Sequence, residues 1–308
     1  MCKVPYTKPP LSYSEQIQLL KSRGLEIENE PKALHLLEVI SYYRLSGYWY
    51  PMLSDKENHI FKPNSTFETA YCIYKFDREL RLLILSELEK IEIGFRAKMI
   101  YELSHSYGVF WYTDPLNFQN QKKYSETFAK ICTEYDRSDE DFIKSYKNKY
   151  SDSMPPSWMM FEFSSFGILS SLYSNLLPGR GRRTVAKYFG LSDNVMESWV
   201  HSLVYLRNIC AHHSRLWNKK MRIPPIIPRS PNNSFIIQTS YTCPDTGISL
   251  NLNKKTYFIL SMIIYLMNVI NPKNSVSSKV KSLLEKYPNI DTRAMGFPDS
   301  WQTESLWK

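Results

Sequence analysis

The chain is short of glycine. Ten glycines in 308 residues is about 3%, under half of the usual ~7%. That is too few for the many tight turns of an all-β protein, or for a fold built on glycine-rich phosphate loops. Paired cysteines are also missing. The five cysteines are scattered, with the nearest pair, Cys210 and Cys243, 33 residues apart. No CxxC element exists, which excludes a zinc ribbon or dithiol redox site and suits a reducing compartment. Long apolar runs are absent too. The longest, Tyr257 to Ile270, is 14 residues, contains Ser261 and Asn268, and is too short for a bilayer span. The opening residues, Met1 to Pro5, carry no apolar stretch of signal-peptide type, so a cytoplasmic protein without membrane contact is expected. What the chain has instead is aromatics (22 Tyr, 15 Phe, 7 Trp) and a formal net charge of +9.

Helix signals dominate. Ser12-x-x-Glu15 is a capping box, followed by Ile17, Leu19 and Leu20 and closed by Gly24. Pro31 sits where a second helix begins, with Leu34, Leu37 and Ile40 on one stripe. Tyr42 to Pro51 reads as an aromatic turn, which either packs or stacks bases. Ser65-x-x-Glu68 opens a helical segment reaching Gly108, with a break expected near Asp77. Further helices are predicted over 121–135, 141–149 and from Pro155 to Leu177, and another begins at Ser192. The prolines between Ile223 and Pro231 interrupt the pattern. Short strands are expected within 235–242 and 248–252, then a buried helix over 255–270 and an aromatic tail through Trp301 and Trp307. Long helices joined by short turns predict an all-α bundle with extensions at both ends. The expected divisions are 1–62, 63–222 and 223–308, packed as one unit.

The charge is concentrated. Arg180, Arg182, Arg183, Lys187, Arg207, Arg215, Lys219, Lys220 and Arg222 are opposed only by Asp193 and Glu197 between Gly179 and Arg222. A segment of one sign favours a polyanionic partner. Arg180, Arg182, Arg183, Lys187, Lys219, Lys220 and Arg222 are the expected RNA contacts. Tyr188, Phe189, Tyr205 and Trp217 lie among them, either as stacking surfaces or as core. Gly179 to Thr184 lacks the ending of a P-loop, and is either a backbone contact or a turn.

Within this segment, His201, Tyr205, Asn208, His212 and Arg215 line one helix face, opposite Trp199, Leu203, Leu206 and Cys210. An imidazole exchanges protons near neutral pH, and a guanidinium holds a phosphate by two parallel hydrogen bonds. The set suits RNA cleavage without a metal. His212 serves as acid or base, Arg207 stabilises the pentacoordinate phosphorus, and Asn208 orients the imidazole or binds a phosphate oxygen. Arg207 and His212 are five apart, about 140° round an ideal helix. Either the helix ends near Ala211 or two copies assemble the site, with a twofold dimer the natural solution. Glu92 and Arg96 either reach the site or form an ordinary i,i+4 pair, and His213 is a further candidate. His201, His212 and His213 have no Cys or carboxylate at ligand spacing, so no metal and no cofactor are expected.

Arg207-Asn208-Ile209-Cys210-Ala211-His212 resembles the R-x4-6-H signature of HEPN-domain ribonucleases, with a polar residue after the arginine. The wider string from Arg207 to Asn218 resembles abortive-infection (Abi) proteins of the AbiD/AbiF type. So do Lys21-Ser22-Arg23-Gly24, Tyr42 to Trp49, Phe76 to Arg81, Glu89-x-x-Glu92-x-x-x-Arg96 and Met295-Gly296-Phe297-Pro298-x-x-Trp301. The resemblance implies a HEPN-like helical core over 63–222, RNA cleavage or binding, and a place in anti-phage defence or a toxin–antitoxin pair. The expected product ends are a 2′,3′-cyclic phosphate and a 5′-OH. The expected partners are substrate RNA, a regulatory or antitoxin RNA, and a second copy of the chain. The alternative is an RNA-binding protein that holds a structured RNA and cuts nothing, or cuts only when triggered.

Overall fold

The computed structural model describes residues 5–242 and 249–308. The described residues are predominantly helical, with twelve α-helices and two small two-stranded sheets. The chain divides into two compact units, one formed by residues up to Leu80 with Leu283–Ile290, the other by Arg81–Ser282 with Asp291–Lys308. Cys2 and Cys243 lie outside the described residues.

In the first unit, α1 (Tyr13–Ser22) begins on the expected capping box, with both reciprocal hydrogen bonds between Ser12 and Glu15 formed. Gly24 ends it with φ 88°, a left-handed angle that a side chain disfavours. α2 (Glu30–Ile40) is capped by Asn29 with Pro31 in its first turn. The aromatic stretch is itself a helix, α3 (Tyr42–Trp49), rather than only a turn, and a short 3₁₀ turn over Tyr50–Met52 follows. A hairpin that the sequence pattern did not reveal pairs β1 (Leu53–Asp55) with β2 (Ile60–Phe61). Helix α4 (Phe67–Tyr107) starts one residue later than predicted, because Thr66 Oγ1 accepts the Thr69 amide at 3.0 Å. It continues through Asp77 without a break. Asp77 is buried and accepts a hydrogen bond from the Tyr48 hydroxyl at 2.7 Å, so the polar residue that suggested a break is satisfied inside the fold.

The second unit holds the rest of α4 together with α5 (Gln121–Arg137), α6 (Asp141–Lys149), α7 (Ser157–Met160), α8 (Phe166–Asn175), α9 (Arg180–Tyr188), α10 (Asp193–Ala211) and α11 (Thr256–Ile270). The stretch from Pro155 is not one helix. It stops after Met160 and restarts where Ser165 caps α8. Gly179 to Thr184 opens α9 and is not a loose turn. β3 (Ser240–Thr242) and β4 (Ser249–Asn251) pair antiparallel, shorter than predicted. A last helix, α12 (Val276–Lys286), was not legible in advance. α11 is buried nearly all round, as a helix apolar on every face must be. Trp199 of α10 sets its ring edge-on to Tyr265 of α11 at 5.4 Å and donates from Nε1 to the Ile226 carbonyl at 2.8 Å. Phe95 of α4 meets Tyr173 of α8 edge-on at 5.3 Å. Trp307 stacks on Tyr257 at 5.6 Å and donates to Ser261 Oγ at 3.0 Å, which seats the aromatic tail. None of the described helices is long and apolar enough to cross a membrane.

Candidate functional site

Helix α10 carries the predicted site, and its burial follows the predicted seam. Val195, Trp199, Leu203, Leu206 and Cys210 are buried, while His201, Arg207 and Asn208 are exposed and Tyr205 is half-buried. The helix ends at Ala211. His212 is the C-cap and donates its amide to the Asn208 carbonyl at 3.0 Å. The His213 amide bonds the Cys210 carbonyl at 3.1 Å and the Ser214 amide bonds the Ile209 carbonyl at 2.9 Å. This is a Schellman closure, with His213 at φ 56° in the position that glycine usually holds. Arg215 therefore lies beyond the helix and does not extend the stripe of His201, Tyr205, Asn208 and His212. His212 keeps near-helical angles (φ −85°, ψ 12°). Its side chain thus still leaves the axis about 140° from that of Arg207.

The closure makes a prediction. A β-branched residue at the His213 position disfavours positive φ, so His213→Val is expected to cost at least about 1 kcal/mol. That corresponds to a Tm lower by roughly 2–4 °C, whereas His213→Gly keeps the closure. Thermal melts of the two variants check it; equal Tm values would show that the turn does not need left-handed backbone.

Arg207 faces α4. With Leu85, Leu88, Glu89, Glu92, Ile93 and Arg96 it lines a cleft of about 350 Å³. Arg96 is held on three sides, donating to Glu92 Oε1 at 2.9 Å and to the carbonyls of Glu162 at 3.1 Å and Ser164 at 3.2 Å. Burial pushes the Glu92 carboxyl above its ordinary range; the guanidiniums of Arg96 and Arg207 only partly offset this, and the charge of Glu89 adds to the rise. The Glu92–Arg96 pair is thus both an i,i+4 bridge and a wall of the cleft that holds Arg207. The two carbonyls that clamp Arg96 come from the break between α7 and α8, and no sequence signal pointed to them.

Asn208 and His212 are exposed but do not line this cleft. His201 opens into a separate polar cleft beside Lys123, Ser174, Asn194 and Ser198. On α9, Arg180, Arg183 and Lys187 are exposed, and their i, i+3, i+7 spacing puts them on one face. Arg182 is buried on the opposite side, ion-paired with Glu197 and 3.7 Å from Asp193. It is not presented to a phosphate, which corrects its place among the expected RNA contacts. Lys220 and Arg222 are exposed and Lys219 is half-buried, all beyond the end of α10. Phe189 and Trp217 are core, while Tyr188 is 46% exposed with the Lys98 ammonium 4.6 Å from its ring centre. Among the described residues, no group of three His, Cys, Asp or Glu side chains gathers as metal ligands do.

A family model described as Abi-like protein matches residues 35–218, more than half of the chain. No curated protein and no solved structure matches it.

Proposed function

The chain belongs to the Abi-like protein family, and we propose that it is a metal-independent endoribonuclease acting in the abortive-infection defence that this membership implies. The observation that carries the reading is the end of α10. An always-charged guanidinium, Arg207, is set in a cleft beside a desolvated carboxyl, and His212, whose exposed imidazole follows Asn208 by one turn, has its backbone amide held by the Asn208 carbonyl. In the reaction, the 2′-oxygen of a ribose attacks the adjacent phosphorus and gives its proton to an imidazole. The P–O5′ bond breaks, and the leaving 5′-oxygen takes a proton from a second imidazole. Arg207 binds the extra negative charge of the pentacoordinate state. The ends formed are a 2′,3′-cyclic phosphate and a 5′-OH, and DNA, which has no 2′-OH, is not cut.

One copy supplies one His212, and it does not line the cleft that Arg207 lines. A twofold dimer supplies two of each and separates the acid from the base. Incubating the protein with RNA in EDTA tests the reading. The expected result is cleavage with cyclic-phosphate ends on RNA and none on DNA of the same sequence. No cleavage of any RNA, alongside intact RNA binding, would favour the second reading, a protein that holds a structured RNA without cutting it. The single-signed face of Arg180, Arg183 and Lys187 is the observation behind that alternative.

A further inference from the structure

The first unit contains a cavity of about 470 Å³ that this chemistry does not use, a volume within the range of small-molecule sites. The walls are aromatic. Tyr42 and Trp49, at the two ends of α3, meet edge-on at 5.1 Å and form one side. Tyr43 and Tyr50 also line it, and they are 89% and 46% exposed, so each has ring surface not used in packing. The charged side chains that line the cavity are basic. Arg23 lines the cavity and donates from Nη1 to the Tyr42 hydroxyl at 3.1 Å. Lys8 and His59 line it as well, and the Lys56 ammonium lies 5.6 Å from the Tyr50 ring centre. No aspartate or glutamate is among the described residues that line it. One lining residue, His59, holds left-handed backbone at φ 57° without being glycine; such angles cluster at binding sites.

Exposed ring faces beside Lys8 and Arg23, with no carboxylate in the lining and Asp55 reaching His59 only from outside it, select a ligand that is flat, aromatic and anionic. An apolar ligand leaves the cations without a role, and a sugar phosphate leaves the rings without one. We propose that this cavity binds a nucleotide, with the base against Tyr43 and Tyr50 and the phosphate toward Lys8, Arg23 and His59. The nucleotide is either free or a splayed-out nucleotide of an RNA chain; the chemistry recognised is the same. This inference does not rest on the nuclease reading, since the cavity shares no residue with the end of α10.

Titration calorimetry on the full chain tests it, with AMP, GMP, CMP and UMP as free ligands. Ribose 5-phosphate and inorganic phosphate serve as baseless controls, and a 2′-O-methyl oligonucleotide, which cannot be cleaved through its 2′-oxygen, stands for the RNA chain. The expected result is one nucleotide site per chain, with ribose 5-phosphate at least tenfold weaker. Tyr43→Ala/Tyr50→Ala is expected to weaken binding tenfold or more, because each stacked base face is lost, and Lys8→Gln to flatten the salt dependence. Both tyrosines are exposed, and an unchanged Tm verifies that the double variant folds. Oligonucleotide binding that Tyr43→Ala/Tyr50→Ala weakens, without binding of any mononucleotide, assigns the site to a nucleotide within RNA; weakened binding of both assigns it to free nucleotides as well, and oligonucleotide binding that the double variant leaves unchanged belongs to the end of α10 or to α9. If neither ligand binds, or if the double variant binds both as tightly as the unmodified chain, the proposal is overturned. The EDTA cleavage assay reads the other site, so either idea can fail while the other stands.

Discussion

Replacing His212 with alanine is expected to reduce RNA cleavage by about 10²–10⁴-fold, the usual loss when a positioned acid or base is removed. The fold should not change, because His212 is exposed and the hydrogen bond that fixes it is made by its backbone amide. Arg207→Ala is expected to lose about 10²–10³-fold, comparable to removing a donor that stabilises transition-state charge. Arg207→Lys should recover only part of this, since an ammonium keeps the charge but not the planar fork. The pair also tests how the site is assembled. In a composite dimer, a mixed pair of Arg207→Ala and His212→Ala protomers still contains one arginine and one imidazole at the shared centre. Co-expression of the two inactive variants should therefore recover only part of the lost cleavage, below the level of the unmodified dimer, because one of the two imidazoles that share the acid and base roles is missing. A monomer by light scattering at micromolar concentration would place the reaction within one copy and sink the composite site.

Much of the fold was legible because its signals are local. The box of Ser12 and Glu15 and the stop at Gly24 act within one turn of chain. The seam of Trp199, Leu203, Leu206 and Cys210 and the all-apolar α11 are set by helical period. The features that were misread depend on distant partners. Asp77 carries a break signal in the sequence, but Tyr48, 29 residues away, satisfies it inside the helix. The Pro155–Leu177 pattern ran past a break whose carbonyls at Glu162 and Ser164 are held by Arg96, more than sixty residues earlier in the chain. For the site, the string from Arg207 to His212 and the Glu92–Arg96 spacing were both visible as local patterns. That Arg207 shares a cleft with Glu92 is a tertiary fact, because it depends on how α10 packs near α4. The end of α10 lay between these cases. One of the two alternatives raised by the five-residue spacing was a helix ending near Ala211, which is observed, but the near-helical angles of His212 leave the angular separation from Arg207 in place.

Charge counting treats Arg180, Arg182 and Arg183 as equivalent, and they should behave as two different kinds of residue. Arg182 is 4% exposed. One Nη atom of its guanidinium donates to Glu197 and, at 3.4 Å, to Asn194 Oδ1, and the group lies 5.7 Å from the Tyr173 ring centre. The Tyr173 hydroxyl donates to the Arg182 carbonyl at 3.1 Å. This one side chain therefore joins α8, α9 and α10, the helix that carries Arg207. Removing one member of a fully buried ion pair costs about 3–5 kcal/mol, and the partial exposure of Glu197 brings the expectation for Arg182→Ala to about 2–3 kcal/mol. In a unit of this size that is a Tm lower by roughly 5–10 °C. Cleavage should fall with it only as far as α10 loses its support. Replacing Arg180, Arg183 and Lys187 together with glutamine should instead leave the Tm within about 1 °C, since exposed charges contribute little to stability. RNA binding should weaken, with the slope of log K against log salt shallower by about 2, from three lost phosphate contacts on a single strand. Melting curves and salt titrations on the two variants separate the roles. A triple variant with unchanged affinity and slope would remove α9 from the RNA surface, and an Arg182→Ala variant with an unchanged Tm would show that the buried network does not hold α10 in place.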